Sequence, residues 1–229
     1  MIDSGSTDAT LEIAKEFTQK IIIRPWPGFV EQKRFGLERC SSDWVLNLDA
    51  DEEVSSELCA EIQALLKQDA LRALNENGFE LQRTVFFLGK WWRKGGWYPE
   101  YRLRMCRRSV TSWGGIDPHE KAIVSGTTTK LKGELHHYTY SSITDQVRRI
   151  NTLSSNAAFT MLANNRSASI LEIIFRPLIR VFKFYIIKRG YREGFAGFLV
   201  AWLEGLQVFL KYVKAWEGKY WDGVHSDGE

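Results

Sequence analysis

Two acids, Asp49 and Asp51, follow the apolar run Trp44-Val45-Leu46-Asn47-Leu48. Carboxylates held that close repel each other unless a cation lies between them. Hard divalent ions such as Mg²⁺ and Mn²⁺ take such oxygen ligands and leave positions for substrate phosphates. A short apolar run bounded by polar residues fits a buried strand of a parallel sheet. If the chain stays extended beyond it, both acids point to one side. In open α/β sheets, ligands bind at that end of a strand. Asp-x-Asp by itself equally fits a solvated turn ahead of a helix, so the rest of the chain has to decide.

The elements that would position these acids read as α/β. Ile2 ends a strand, Ser4-Gly5-Ser6 turns, and Ser6 caps a helix with Asp8 in its first turn. Residues 21–23 form a short strand and residues 29–40 a helix carrying Lys33 and Arg34. Ser55 or Ser56 caps the next helix, with Leu58, Ile62, Leu65 and Leu66 on one face. Strands follow over residues 79–88 and 103–106, separated by a loop holding Trp91, Trp92 and Trp97. Residues 113–120 read as a turn-rich loop containing Asp117, Pro118, His119 and Glu120. A strand over 130–140 passes His137, and an amphipathic helix over 142–162 buries Val147, Ile150, Leu153, Ala157 and Met161.

At 229 residues, 44% apolar and 26% charged, the chain can pack a core and is not globally disordered. The net charge of +3 is unevenly spread. Between Arg83 and Arg108 the basic residues face a single acid, Glu100. Such a zone suits phosphate-bearing ligands or an anionic surface. Cys40, Cys59 and Cys106 lack metal-type spacing, which fits a reduced cytoplasmic setting. From residue 169 to 221, Phe, Tyr, Trp and Leu interleave with Arg176, Arg180, Lys183, Lys188, Arg189 and Arg192. No run there reaches the ~18 uncharged residues of a spanning helix. The composition is that of helices lying in a membrane interface, or of a helical hairpin packed on the domain.

Taken together, the motifs resemble those of the family 2 glycosyltransferases. Ile2-Asp3-Ser4-Gly5-Ser6-Thr7-Asp8 is similar to the family's acidic turn, and Leu48-Asp49-Ala50-Asp51-Glu52 to its Asp-x-Asp motif. Gly95-Gly96-Trp97-Tyr98-Pro99, Arg104 to Arg108, His119-Glu120 and His137-Tyr138-Thr139-Tyr140 resemble the subgroup acting on lipopolysaccharide inner core. The resemblance implies a GT-A-like nucleotide-sugar-binding sheet over residues 1–165 and a helical, basic and aromatic extension over 166–229. It also implies a strand, a helix and part of a second strand ahead of Asp3 that this sequence does not include, Met1 standing in place of a strand residue, as expected of a fragment, a misassigned start or an inactive protein. The expected activity is inverting transfer from a nucleotide-sugar, a UDP-sugar, to a lipopolysaccharide-core or other lipid-linked acceptor. A truncated, inactive relative serving as a scaffold is the alternative.

The roles that follow are expectations. Asp51 is the first metal ligand, with Asp49 nearer the ribose or the metal; Asp3 contacts the nucleotide base. Lys33 and Arg104 are donor-binding, Arg104 through phosphate, because guanidinium forks match phosphate geometry. Glu120 is the general base and Asp117 the runner-up. His137 completes the metal shell or binds diphosphate, unless it is an ordinary hydrogen-bonded strand-end histidine. The setting expected is the cytoplasmic face of the inner membrane, peripherally, on an anionic surface. Nucleic acid is not an expected partner, since the acidic cluster would repel its phosphates. A metal-dependent phosphoryl transferase would bring a glycine-rich phosphate loop, and none of the P-loop type is present.

Overall fold

The computed structural model describes residues 1–67, 75–117 and 119–226. The chain folds as α/β in two compact units interleaved along the sequence. The first comprises residues 1–49, 56–81 and 101–133, and the second residues 50–55, 82–100 and 134–229. Two strands, β5 (Glu76–Phe87) and β10 (Thr127–His137), run through both.

In the first unit, β1 (Ile2–Asp3) pairs in parallel with β2 (Ile22–Ile23). Between them lies α1 (Thr10–Phe17). It starts later than the sequence suggests: Asp8, not Ser6, binds the Thr10 N–H at 3.0 Å. The helix α2 (Phe29–Arg39) leads to β3 (Trp44–Leu46), which pairs antiparallel with β7 (Glu100–Arg107). A buried parallel strand is therefore not what forms here. Val45 is half-buried and Leu46 exposed, as befits the last strand of a sheet path rather than a central one. Nor does extended chain persist to both acids, because Ala50 and Asp51 turn. The helix α3 (Ser56–Lys67) buries Leu58 and Ile62, and Leu58 lies so close to Gly133 of β10 that a Cβ there would come within 2.4 Å of its Cα. Residues 113–120 are not a loop. They belong to a hairpin of β8 (Thr111–Ile116) and β9 (His119–Val124), paired from Thr111↔Val124 to Ile116↔His119. Pro118 lies outside the described residues.

The second unit holds β4 (Glu52–Val54), paired antiparallel with the end of β10, and β6 (Lys90–Trp92), paired with β5. Its helices are α4 (Ile143–Ala163), α5 (Ile170–Phe182) and α6 (Phe195–Ser226). Ser142 caps α4 by accepting the Asp145 N–H, and Ser169 with Glu172 forms a reciprocal cap on α5. A π turn, Lys183–Ile187, and a 3₁₀ turn, Gly190–Glu193, join α5 to α6. Val85, Phe87, Trp92, Phe184, Val200 and Ala201 form one core cluster; Ala158, Met161, Ala168, Tyr212 and Ala215 form another. By length and composition α6 could cross a membrane over Phe195–Gly218. Its polar residues nevertheless have partners inside this unit. Glu204 accepts from the Trp97 indole at 3.0 Å and from Arg180, and Lys214 donates to Asn151, Ser154 and Ser155.

Candidate functional site

Chemistry-bearing side chains gather in two clusters, one in each unit. In the first, Lys33 projects from the second turn of α2 and its ammonium binds Asp49 Oδ1 and, at 2.9 Å, Asn47 Oδ1. Arg104, buried on β7, meets the other oxygen, Oδ2, at 2.5 Å. Partial burial pushes the Asp49 carboxyl up, but the Arg104 and Lys33 charges and hydrogen bonds outweigh it and hold it below the ordinary carboxylate value. Each Asp49 oxygen thus carries a cationic donor, and the residue serves as a counter-ion. The sequence missed Asn47. Its only signal was its place two residues before Asp49 in an extended run.

Asp3 organises its own turn. It accepts from the Gly5 N–H at 2.8 Å, the Ser6 N–H at 2.9 Å and the Ser6 hydroxyl at 2.5 Å. The Ser6 hydroxyl, then the Ser6 and Gly5 amides, hold its carboxyl below the usual range. Gly5 sits at φ +97°, a conformation that side chains rarely adopt. Asp117 caps α2: its two oxygens accept from Phe29 N–H at 3.0 Å and Val30 N–H at 2.9 Å. Glu120 lies on β9 opposite Gly115, half-buried. Among the described residues its carboxylate has no hydrogen-bond or ion-pair partner.

In the second unit, His137 ends β10, buried, with Nε2 at 3.3 Å from Asp51 Oδ2. Thr139 Oγ1 lies 2.5 Å from Nδ1, so the ring is oriented from both sides. The Asp51 side chain keeps 35% exposure, enough for a ligand to reach it. Nearby on the same strand, His136 stacks on Trp91 at 4.1 Å, and Glu134 pairs with Arg93 at 2.6 Å. Trp92 and Trp97 belong to the core, packed against Phe184, rather than to an open face. No group of three or more His, Cys, Asp or Glu fit to hold a metal occurs among the described residues. Asp51 and His137 still offer one oxygen and one nitrogen. That suits an ion whose remaining positions are filled by water and phosphate, with imidazole favouring Mn²⁺ over Mg²⁺.

The family model described as Glycosyl transferase family 2 matches residues 1–80, which include Asp3, Lys33, Asp49 and Asp51. An uncharacterised glycosyltransferase of Rickettsia typhi is 28% identical over 93% of this chain and 76% of its own length. The lipopolysaccharide core biosynthesis glycosyltransferase LpsC of Rhizobium meliloti is 26% identical over 95% of this chain and 82% of its own. Among solved structures, S. aureus TarS 1-349 with UDP-GlcNAc aligns over 97% of this chain and 82% of its own, at 11% identity and a TM-score of 0.40. These sequence matches liken residues 1–80 to the family 2 glycosyltransferases and most of the chain to proteins named as glycosyltransferases.

Proposed function

We propose that this glycosyltransferase moves a sugar from a UDP-sugar to a lipopolysaccharide-core or similar lipid-linked acceptor, with inversion at the anomeric carbon. The observation that carries the reading is the Asp51–His137 pair: a reachable carboxylate within the family-matched segment and an oriented imidazole beside it. A phosphate-bearing donor is supported by the basic groups of the first cluster, and the acceptor by the likeness to LpsC. A divalent metal held by Asp51 and His137 would supply charge neutralisation for the leaving diphosphate. Asp49 is assigned to fixing Lys33 and Arg104, cationic groups of the type that bind phosphate.

Glu120 is assigned as the base. It takes the acceptor hydroxyl proton as that oxygen bonds to the anomeric carbon and the sugar–phosphate bond breaks. Its lack of a partner among the described residues supports it over Asp117, whose oxygens are engaged at the start of α2. The test is transfer of label from UDP-sugars to core oligosaccharide acceptors. Glu120→Gln should lower kcat by roughly 10²–10⁴-fold with little change in donor binding. If Asp117→Asn has that effect instead, the assignment is wrong.

A further inference from the structure

Beyond the two clusters, the second unit contains a cavity of about 260 Å³ lined by Lys94, Tyr98, Ile187, Lys188, Arg189 and Arg192 over the backbone of Gly95. Among the described residues none of its four cations has a carboxylate partner. Their neighbours are different: Lys90 pairs with Glu193 at 2.7 Å, and Arg180 with Glu204. The Tyr98 hydroxyl accepts from Gln82 Nε2 at 2.6 Å and keeps its own proton to donate. Four basic side chains line one cavity without a carboxylate; each is exposed and screened by water, and together they favour a negative ligand.

The walls are fixed by packing. Phe184 is buried against the Gly95-Gly96 backbone, where a Cβ on Gly96 would come within 2.3 Å of its ring. A Cβ on Gly190 would come within 2.8 Å of the Phe184 carbonyl. Arg189 is held in the left-handed region at φ 58°, a conformation that costs a non-glycine residue free energy and that the surroundings must enforce. The volume lies below the ~300–1,000 Å³ of a typical small-molecule site, so it suits a single charged group rather than a whole nucleotide-sugar. Two guanidinium forks favour a phosphate over a carboxylate. Ile186, Ile187, Tyr191 and Phe195 are exposed in the same stretch of chain, and Phe195 keeps 74% of its surface in solvent. Free phosphate would have no use for that apolar flank.

We infer that this cavity binds the phosphate group of an anionic lipid, with the lipid's apolar part resting on Ile187, Tyr191 and Phe195. The inference rests on the lipid-linked acceptor reading, and binding is measured without sugar transfer so that the two can fail separately. Calorimetric titration of the full chain would use three probes: dihexanoyl phosphatidic acid below its micelle concentration, dihexanoylglycerol and inorganic phosphate. Phosphatidic acid should bind about tenfold or more tightly than inorganic phosphate, and dihexanoylglycerol should not bind. Arg189→Gly, which also relaxes the backbone, and Arg192→Ala should each weaken phosphatidic acid about tenfold, the worth of one charge-assisted hydrogen bond, without lowering Tm. Arg176→Ala, on α5 and outside the cavity, should have no effect. Equal affinity for inorganic phosphate and phosphatidic acid would overturn the lipid assignment. So would affinity for phosphatidic acid that survives both cavity substitutions. If the chain binds anionic vesicles but not monomeric phosphatidic acid, the inference falls and the broader surface reading stands.

Discussion

Lys33 and Arg104 hold Asp49 from two sides, while Asp51 faces a histidine and stays reachable. Substitution should separate the two acids. Asp49→Asn strips the counter-charge from buried Arg104 and should cost about 1.5–3 kcal/mol, read from urea midpoints at constant slope. Asp51→Ala should cost about 1 kcal/mol or less, because its imidazole partner also has Thr139. Cys106 gives a second test at this scale. Burial pushes its thiol up to about 11, so the thiolate is scarce at pH 8. Iodoacetamide at pH 8 should label exposed Cys59 in the native protein and spare Cys106, with all three cysteines labelled once the chain is unfolded. The sequence pointed to Asp49, Asp51, Lys33, Arg104 and His137 through residue type and order. It could not pair them, because Arg104 reaches Asp49 across 55 positions through the β3–β7 register. The alternation rule also failed between the acids, since a turn at Ala50-Asp51 breaks the extended chain.

Among the elements, α3 and β10 approach most closely at Gly133. Gly133→Ala should destabilise by about 1–3 kcal/mol, as inserting a methyl into a filled contact does, and calorimetric melting would read it as a lower Tm. Most helices and long strands were legible from periodicity, within a few residues at their ends. Besides the parallel-strand reading of β3, two readings went astray for reasons that pattern alone hides. Gly114, Gly115 and Pro118 suggested a loop, yet cross-strand pairing over Thr111↔Val124 to Ile116↔His119 makes a hairpin of that stretch. In α4 the buried face is rotated from the expected one. Gln146 and Ser154 are buried and Val147 is exposed; Ser154 faces Lys214 of α6, which docks on Asn151, Ser154 and Ser155. A polar residue that is buried to meet a distant lysine looks like a surface residue in a linear pattern.

For the whole molecule, the reading concerns surface and chemistry. Helix α5 exposes Ile170, Leu171, Ile174, Phe175, Leu178, Ile179 and Phe182 beside Arg176, with Lys183 just beyond. Its 13 residues are too short to cross the ~30 Å hydrocarbon core, so under the interfacial proposal it would lie along an anionic surface rather than span the membrane. Glu204 holds Arg180 closely, whereas Arg176 has only a 3.7 Å contact with Glu172, which Arg166 also engages, and stays half-exposed. Arg176→Glu with Lys183→Glu should therefore weaken co-sedimentation with phosphatidylglycerol vesicles at low salt. At about 1 kcal/mol per basic residue, the loss is tenfold or more, and added salt should weaken the wild type as well. Undiminished sedimentation of that variant would remove α5 from the surface. The basic and aromatic pattern was visible in the sequence; which cations are already paired was not. The central claim, sugar transfer through Asp51, is tested most directly by UDP release from UDP-sugars in the presence of Mn²⁺ and core acceptor, comparing wild type with Asp51→Ala. The account predicts acceptor-stimulated release by the wild type and a loss of about 10²-fold or more in a variant that stays folded. Equal turnover by the two proteins, or no release by the wild type from any UDP-sugar, would contradict it.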